Sequence, residues 1–128
     1  MTRTLLTLAI GAVLAAIPVS AHHSFAAYYF EDQSVSIAGN IHEFRYTSPH
    51  AVVVVNVMDQ NGRMQRYEAE WAGPNRLDRQ QIRKDTLKPG DYVVVTGAPG
   101  RVASEYKVHL KSIHRPSDGW KWGNGGRR

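Results

Sequence analysis

A run of valines followed by an Asn-Gly turn constrains the fold of this chain more than any other feature. Residues 52–57 hold five valines, which are β-branched and favour the extended backbone of a strand. Alternate side chains of a strand point to opposite faces, and both faces here carry valine. Such a strand is central, buried on one side and covered at least in part on the other. Asn61 and Gly62 then give the strongest short hairpin signal, so we predict a hairpin that returns over residues 63–71.

Three further strands and one short helix are predicted around this hairpin. The strands cover residues 35–46, 92–96 and 106–113, and the helix covers residues 75–83. A helix between the third and fourth of five strands is the order of an OB-fold. Closing the sheet also removes the edges that an open sheet would expose. We therefore predict an all-β protein, a small five-stranded OB-like barrel with one short helix, and an open β-sandwich-like sheet is the alternative.

The beginning of the chain has the pattern of a signal peptide over residues 1–21. Arg3 gives a positive start, residues 5–17 form a mostly apolar run of 13 residues, and residues 19–21 form a small-residue cleavage site. The apolar run is shorter than the roughly 20 residues that cross a bilayer as a helix. We expect cleavage after Ala21, a periplasmic or secreted location, and no transmembrane anchor after cleavage.

The mature chain is predicted to be one domain with a short tail. Residues 22–119 would form the barrel domain, because about 100 residues can build one core. Residues 120–128 include two tryptophans, three glycines and two final arginines, a composition that predicts a flexible tail. Four aromatic residues lie within residues 25–30, and we expect this segment to pack against the barrel.

Composition and motif content exclude several classes of function. The chain has no cysteine, which excludes disulfides, thiol catalysis and cysteine-based zinc sites. Loss of Arg3 with the leader lowers the formal net charge from +5 to +4, too small an excess to indicate a nucleic-acid partner. Hydrolytic motifs are missing from the sequence. Glu68 and Glu70 are predicted to be surface charges that face Arg or Lys on a neighbouring strand.

Histidine is the residue type that points to a function. All six histidines belong to the mature chain, and His22 and His23 would be its first two residues. A free terminal amine and the ring Nδ1 of the same histidine can chelate one metal ion, as in the histidine brace of copper-dependent monooxygenases. Nitrogen ligands bind Cu(II) more tightly than other divalent ions of the first transition row. The sequence therefore predicts a site for copper or another divalent metal at this terminus.

The third nitrogen ligand of such a site has several candidates. His50 is the first choice, because Pro49 fixes it at the mouth of the central strand. His42 and His109 are the reserves. A structural role is the alternative, in which a histidine after proline hydrogen-bonds the loop backbone and fixes a turn.

Four short motifs occur in order along the mature chain. They are His-His-Ser-Phe at residues 22–25, Pro-His at residues 49–50, Glu-Trp at residues 70–71 and Leu-Lys-Pro-Gly-Asp at residues 87–91. The chain thereby resembles a family of small exported proteins of Gram-negative bacteria that is known only as a domain of unknown function. It departs from that pattern at Ser48, where the family has asparagine. The resemblance implies an exported single-domain β protein and carries no established activity, cofactor or catalytic residue.

Two functions remain open at this point. The first is an exported periplasmic protein that binds Cu(II) or another divalent metal through His22, His23 and His50. The second is a non-enzymatic periplasmic accessory module that docks a partner protein or a small ligand. An enzyme is the third possibility, since a copper brace supports oxidative chemistry, but nothing in the sequence shapes a substrate site.

Overall fold

The computed structural model of the protein describes residues 22–124, with side chains from Phe25 onward. The predicted signal peptide and residues 125–128 lie outside the described residues. No helix in the described part is long and apolar enough to span a membrane. The elements in chain order are α1 (His22–Tyr28), β1 (Val35–Arg45), β2 (Val52–Met58), β3 (Met64–Glu70), α2 (Pro74–Arg79), β4 (Tyr92–Pro99), a 3₁₀ turn (Ala103–Glu105), β5 (Lys107–Arg115) and β6 (Trp120–Trp122).

The first five strands close into a barrel. β1 pairs antiparallel with β2 and β4, while β2 pairs with β3 and β4 pairs with β5. A short parallel ladder between β3 and β5 closes the ring, with Glu68 opposite Lys107 and Glu70 opposite His109. The predicted all-β class and the small five-stranded barrel are confirmed. The alternative, an open sheet, is excluded by the β3–β5 ladder.

The valine strand lies at the centre of the core, as predicted. Val53, Val54 and Val55 of β2 are fully buried, and β2 runs between β1 and β3. Both faces of the strand are therefore covered, which the alternation of valine indicated. Apolar side chains of the other strands complete this core, and they are Ile37, Ile41, Ala69, Val93, Val95, Val108, Leu110 and Ile113.

Helix α2 contributes Leu77 to the core and ends earlier than predicted. It spans Pro74–Arg79, whereas the sequence predicted a helix over residues 75–83. The amide of Ile82 donates to the carbonyl oxygen of Leu77 at 2.9 Å, which is the closing bond of a Schellman motif. Gln81 takes the left-handed position of that motif, with a φ of +62°. Leu77 and Ile82 are both buried, so the end of the helix is packed into the core.

The two tryptophans assigned to the tail lie in a strand, so here the structure differs from the predicted flexible tail. Trp120–Trp122 forms β6, which pairs antiparallel with β5 and places Ile113 opposite Trp122. The ring of Trp122 packs edge-on against Trp71 at a centroid distance of 4.9 Å. Its Nε1 donates to Oε1 of Gln80 at 2.6 Å. Because β3 pairs with only the first part of β5, the rest of that edge is free to pair with β6.

Trp122→Ala should destabilise the domain, because it removes the aromatic contact with Trp71 and the hydrogen bond to Gln80. We expect a loss of about 2 kcal/mol in the free energy of unfolding, less than for a fully buried tryptophan. Lys121→Ala is the matched control, since Lys121 is an exposed residue of the same strand. Urea denaturation of both variants measures the difference, and equal stabilities would contradict the packing of β6.

Gln81→Gly should stabilise the domain by roughly 0.5–1 kcal/mol, because glycine adopts a positive φ without the steric conflict of a Cβ atom. Gln81→Ala keeps the Cβ atom and should leave the free energy of unfolding nearly unchanged. Thermal denaturation compares the two variants. A lower melting temperature for the glycine variant would contradict the left-handed end of α2.

Candidate functional site

Two of the predicted histidines contact the same aromatic ring of the N-terminal helix. His50 lies just before β2, His109 lies in β5, and the ring of Phe25 in α1 contacts both. The Phe25 ring stacks in parallel on His109 at a centroid distance of 3.8 Å and lies 5.0 Å from the ring of His50. The aromatic N-terminal segment therefore packs against the barrel, as predicted, and it does so at the histidines.

A cavity of about 470 Å³ lies where β3 and β5 separate after their short ladder. β3 leads on through Trp71 towards α2, whereas β5 continues along β6, so a gap opens between the two directions. Both histidines and Phe25 line this cavity, as do Trp71 and Trp122. The first-choice ligand, His50, and one of the reserves, His109, thus line the same cavity. We call this space the β3–β6 cavity.

The His50 imidazole is held by a carboxylate. Its Nδ1 donates to Oε1 of Glu70 at 2.8 Å, since a carboxylate oxygen can only accept. The hydroxyl of Tyr29 donates to the other oxygen of Glu70 at 2.5 Å. Burial, and then the hydrogen bond to Glu70, raise the pKa of Tyr29, so that the hydroxyl keeps its proton. Glu70 is therefore fixed from two sides and orients the ring of His50.

The His109 imidazole has the same arrangement with a different carboxylate. Its Nδ1 donates to Oε1 of Glu31 at 2.6 Å, and Nζ of Lys111 donates to Oε2 of Glu31 at 2.6 Å. Burial lowers the pKa of His109, and this effect outweighs the opposing effect of the Glu31 carboxylate. The lowered pKa favours the neutral ring. Burial opposes the charge of Glu31, but the hydrogen bonds from Lys111 and His109 outweigh it and lower its pKa.

These contacts determine which ring nitrogen remains available. A neutral imidazole that donates from Nδ1 carries its lone pair on Nε2. Histidines that bind metals typically donate their other N–H to a carboxylate in this way, which fixes the ring and makes the ligating nitrogen more basic. His50 and His109 therefore present two oriented imidazoles on one cavity, each with a ring nitrogen that can accept a hydrogen bond or bind a metal ion.

The remaining predicted site residues do not join this pair within the described part of the chain. His42 is exposed at an irregularity where β1 pairs with β2, and it does not line the β3–β6 cavity. The side chains of His22 and His23 lie outside the described residues, although α1 begins at His22. Among the described residues, no group of three or more His, Cys, Asp or Glu side chains is placed to hold a metal ion.

Sequence reasoning missed the carboxylates of the site. Glu68 pairs with Arg45 at 3.1 Å and is the surface charge that was predicted. Glu70 differs, because its partners are Tyr29 and His50. Nothing in local spacing links Glu31 to His109, 78 positions along the chain.

Acidification from pH 7.5 to 5 should destabilise the protein partly through His109. Its folded-state pKa lies below that of the free side chain, about 6.5, so its stabilising contribution is present above that pH and is lost as the pH falls through the folded-state value. The charged groups that act on it are Glu31, Lys111 and Glu70.

His109→Gln should show a smaller loss of stability over this range, whereas the exposed-site control His42→Gln should lose as much as wild type. Denaturant midpoints at the two pH values measure this, and identical pH dependence in His109→Gln and wild type would contradict it.

Comparison with known proteins gives a family and no activity. A search of the curated proteins finds no relative of this chain. The family model described as "Family of unknown function (DUF6152)" matches residues 11–108, which include Phe25, His50 and Glu70 but end one residue before His109. The predicted resemblance to an uncharacterised domain family is confirmed, and the chain belongs to this family of unknown function.

Proposed function

We propose that the protein is an exported periplasmic protein that binds Cu(II) or another divalent metal ion. The ligands would be the terminal amine and ring of His22 together with His50, with His109 or His23 completing the set. The observation that supports this proposal is the pair of carboxylate-held imidazoles, His50 and His109, which line one cavity beside α1. Each of the two rings has one nitrogen held by a carboxylate and the other nitrogen available as a ligand.

The placement of α1 agrees with this ligand set. Phe25 lies in α1 three positions after His22. Its ring contacts both imidazoles. Hydrogen bonds from the backbone of Phe30 to Pro99 and of Arg101 to Tyr28 attach the end of α1 to the barrel. Helix α1 is therefore held beside the histidine pair, and the proposed ligand His22 belongs to the same helix as Phe25.

The chemistry of the donors favours copper among the divalent ions. An amine and several imidazoles form a nitrogen-rich set, for which Cu(II) has the highest affinity in the first transition row. The lowered pKa of His109 keeps its ring neutral at pH 7, the form that binds metals. The carboxylates on Nδ1 would hold both rings in one orientation before the ion arrives.

A small-ligand-binding module is the second candidate. The β3–β6 cavity favours it, because a volume of about 470 Å³ with aromatic walls is within the range of small-molecule sites. The two candidates are compatible, since a metal at the histidines would occupy only one side of the cavity.

The metal prediction is tested on protein exported with its own leader. Intact mass should show a chain that starts at His22, and this chain should bind one Cu(II) with a nitrogen-dominated paramagnetic resonance spectrum. One alanine inserted before His22 should remove most of the affinity, because the amine becomes a peptide nitrogen. His50→Ala should weaken binding by about 10- to 100-fold. Binding should also fall below about pH 6.5, where free imidazole becomes protonated.

His114→Ala is the matched control for these variants. His114 lies in β5 like His109, but it pairs across to Lys121 of β6 and does not line the β3–β6 cavity. Its loss should leave copper affinity unchanged. Equal affinity with and without the inserted alanine would reject the terminal chelate, and unchanged affinity in His50→Ala would reject the barrel histidine as a ligand.

A further inference from the structure

We propose that the β3–β6 cavity binds a small aromatic carboxylate, held by Arg76 and by the aromatic side chains around it. This inference goes beyond metal binding and does not depend on it. It concerns the part of the cavity between α2 and β6, away from the carboxylates that hold the two histidines.

The first argument is the charge of the lining. Arg76 and Lys111 both line the cavity, and among the described residues no aspartate or glutamate does. Glu31 and Glu70 lie behind the imidazoles, where each accepts two hydrogen bonds. The surface that a ligand would meet is therefore cationic, and it favours an anion.

The second argument is that one of the two cations is available. Lys111 is paired with Glu31 at 2.6 Å, which neutralises its charge locally. Arg76 is exposed in α2, and its guanidinium has no hydrogen-bond or ion-pair partner among the described residues. A guanidinium binds a carboxylate through two parallel hydrogen bonds, and this geometry selects planar anions over spherical ones.

The third argument is the aromatic character of the walls. Phe25 and Trp122 are half-buried and line the cavity together with the buried ring of Trp71. A ligand with a planar ring and a carboxylate matches the walls and Arg76 at once.

Benzoate is a suitable probe, and the indole N–H signals of the three tryptophans report where it binds. In the mature protein treated with a chelator, a benzoate titration should shift the Trp71 and Trp122 signals saturably. The Trp120 signal should stay in place, because this residue packs against Arg115 and does not line the cavity. Benzamide, which has the same shape without the charge, should bind at least about 10-fold more weakly.

Arg76→Gln should weaken benzoate binding by about 10-fold or more, the factor expected when one charge-assisted pair is lost. Arg79→Gln is the matched control, because Arg79 is an exposed arginine of the same helix that does not line the cavity. It should bind benzoate as wild type does.

Equal binding of benzoate and benzamide, or unchanged affinity in Arg76→Gln, would overturn the proposal. So would shifts confined to Trp120. Because the titration is made without metal, benzoate binding to a protein that fails to bind copper would support this inference and reject only the metal proposal.

Discussion

The parallel ladder between β3 and β5 is the constraint on which both the barrel and the candidate site depend. It closes the sheet over only three residue pairs, the last of which sets Glu70 opposite His109. The carboxylate that holds His50 is therefore a direct neighbour of the other histidine. Beyond this pair the strands take different directions, and the β3–β6 cavity forms in the gap. Closure of the fold and the opening of a site are two results of one short pairing.

Much of the barrel could be predicted from the sequence, because the valine strand and the Asn-Gly turn are local signals. The turn also fixes the hairpin register, with Val52 opposite Glu70. That register, continued by two residues, sets His50 opposite Ala72 and makes it a diagonal neighbour of Glu70 on the same face. This half of the site was therefore within reach of sequence reasoning. The other half was not, because the contact of His109 with Glu31 depends on how α1 and the following turn dock on β5.

Strand β6 could not be predicted for a related reason. Three residues are too few for alternation to show, and the glycines beside them are typical of a tail. What makes Trp120–Trp122 a strand is the uncovered edge of β5 and the face of Trp71, both of which exist only in the folded barrel. The early end of α2 also depends on packing in the folded barrel. The burial of Leu77 and Ile82 imposes the left-handed conformation of Gln81.

The described part of helix α1 has seven residues, fewer than a helix needs to be stable by itself in water. Its helical state is therefore maintained by docking, above all by Phe25 against His50 and His109 and by Tyr29 against Glu70. Docking of α1 and the arrangement of the two imidazoles are consequently coupled. A ligand that bound the imidazoles only in this arrangement would also stabilise docked α1. By reciprocity, a partner that captured α1 would lower the affinity for that ligand by the same factor. The stability of docked α1 would therefore report on any ligand bound at the histidine pair.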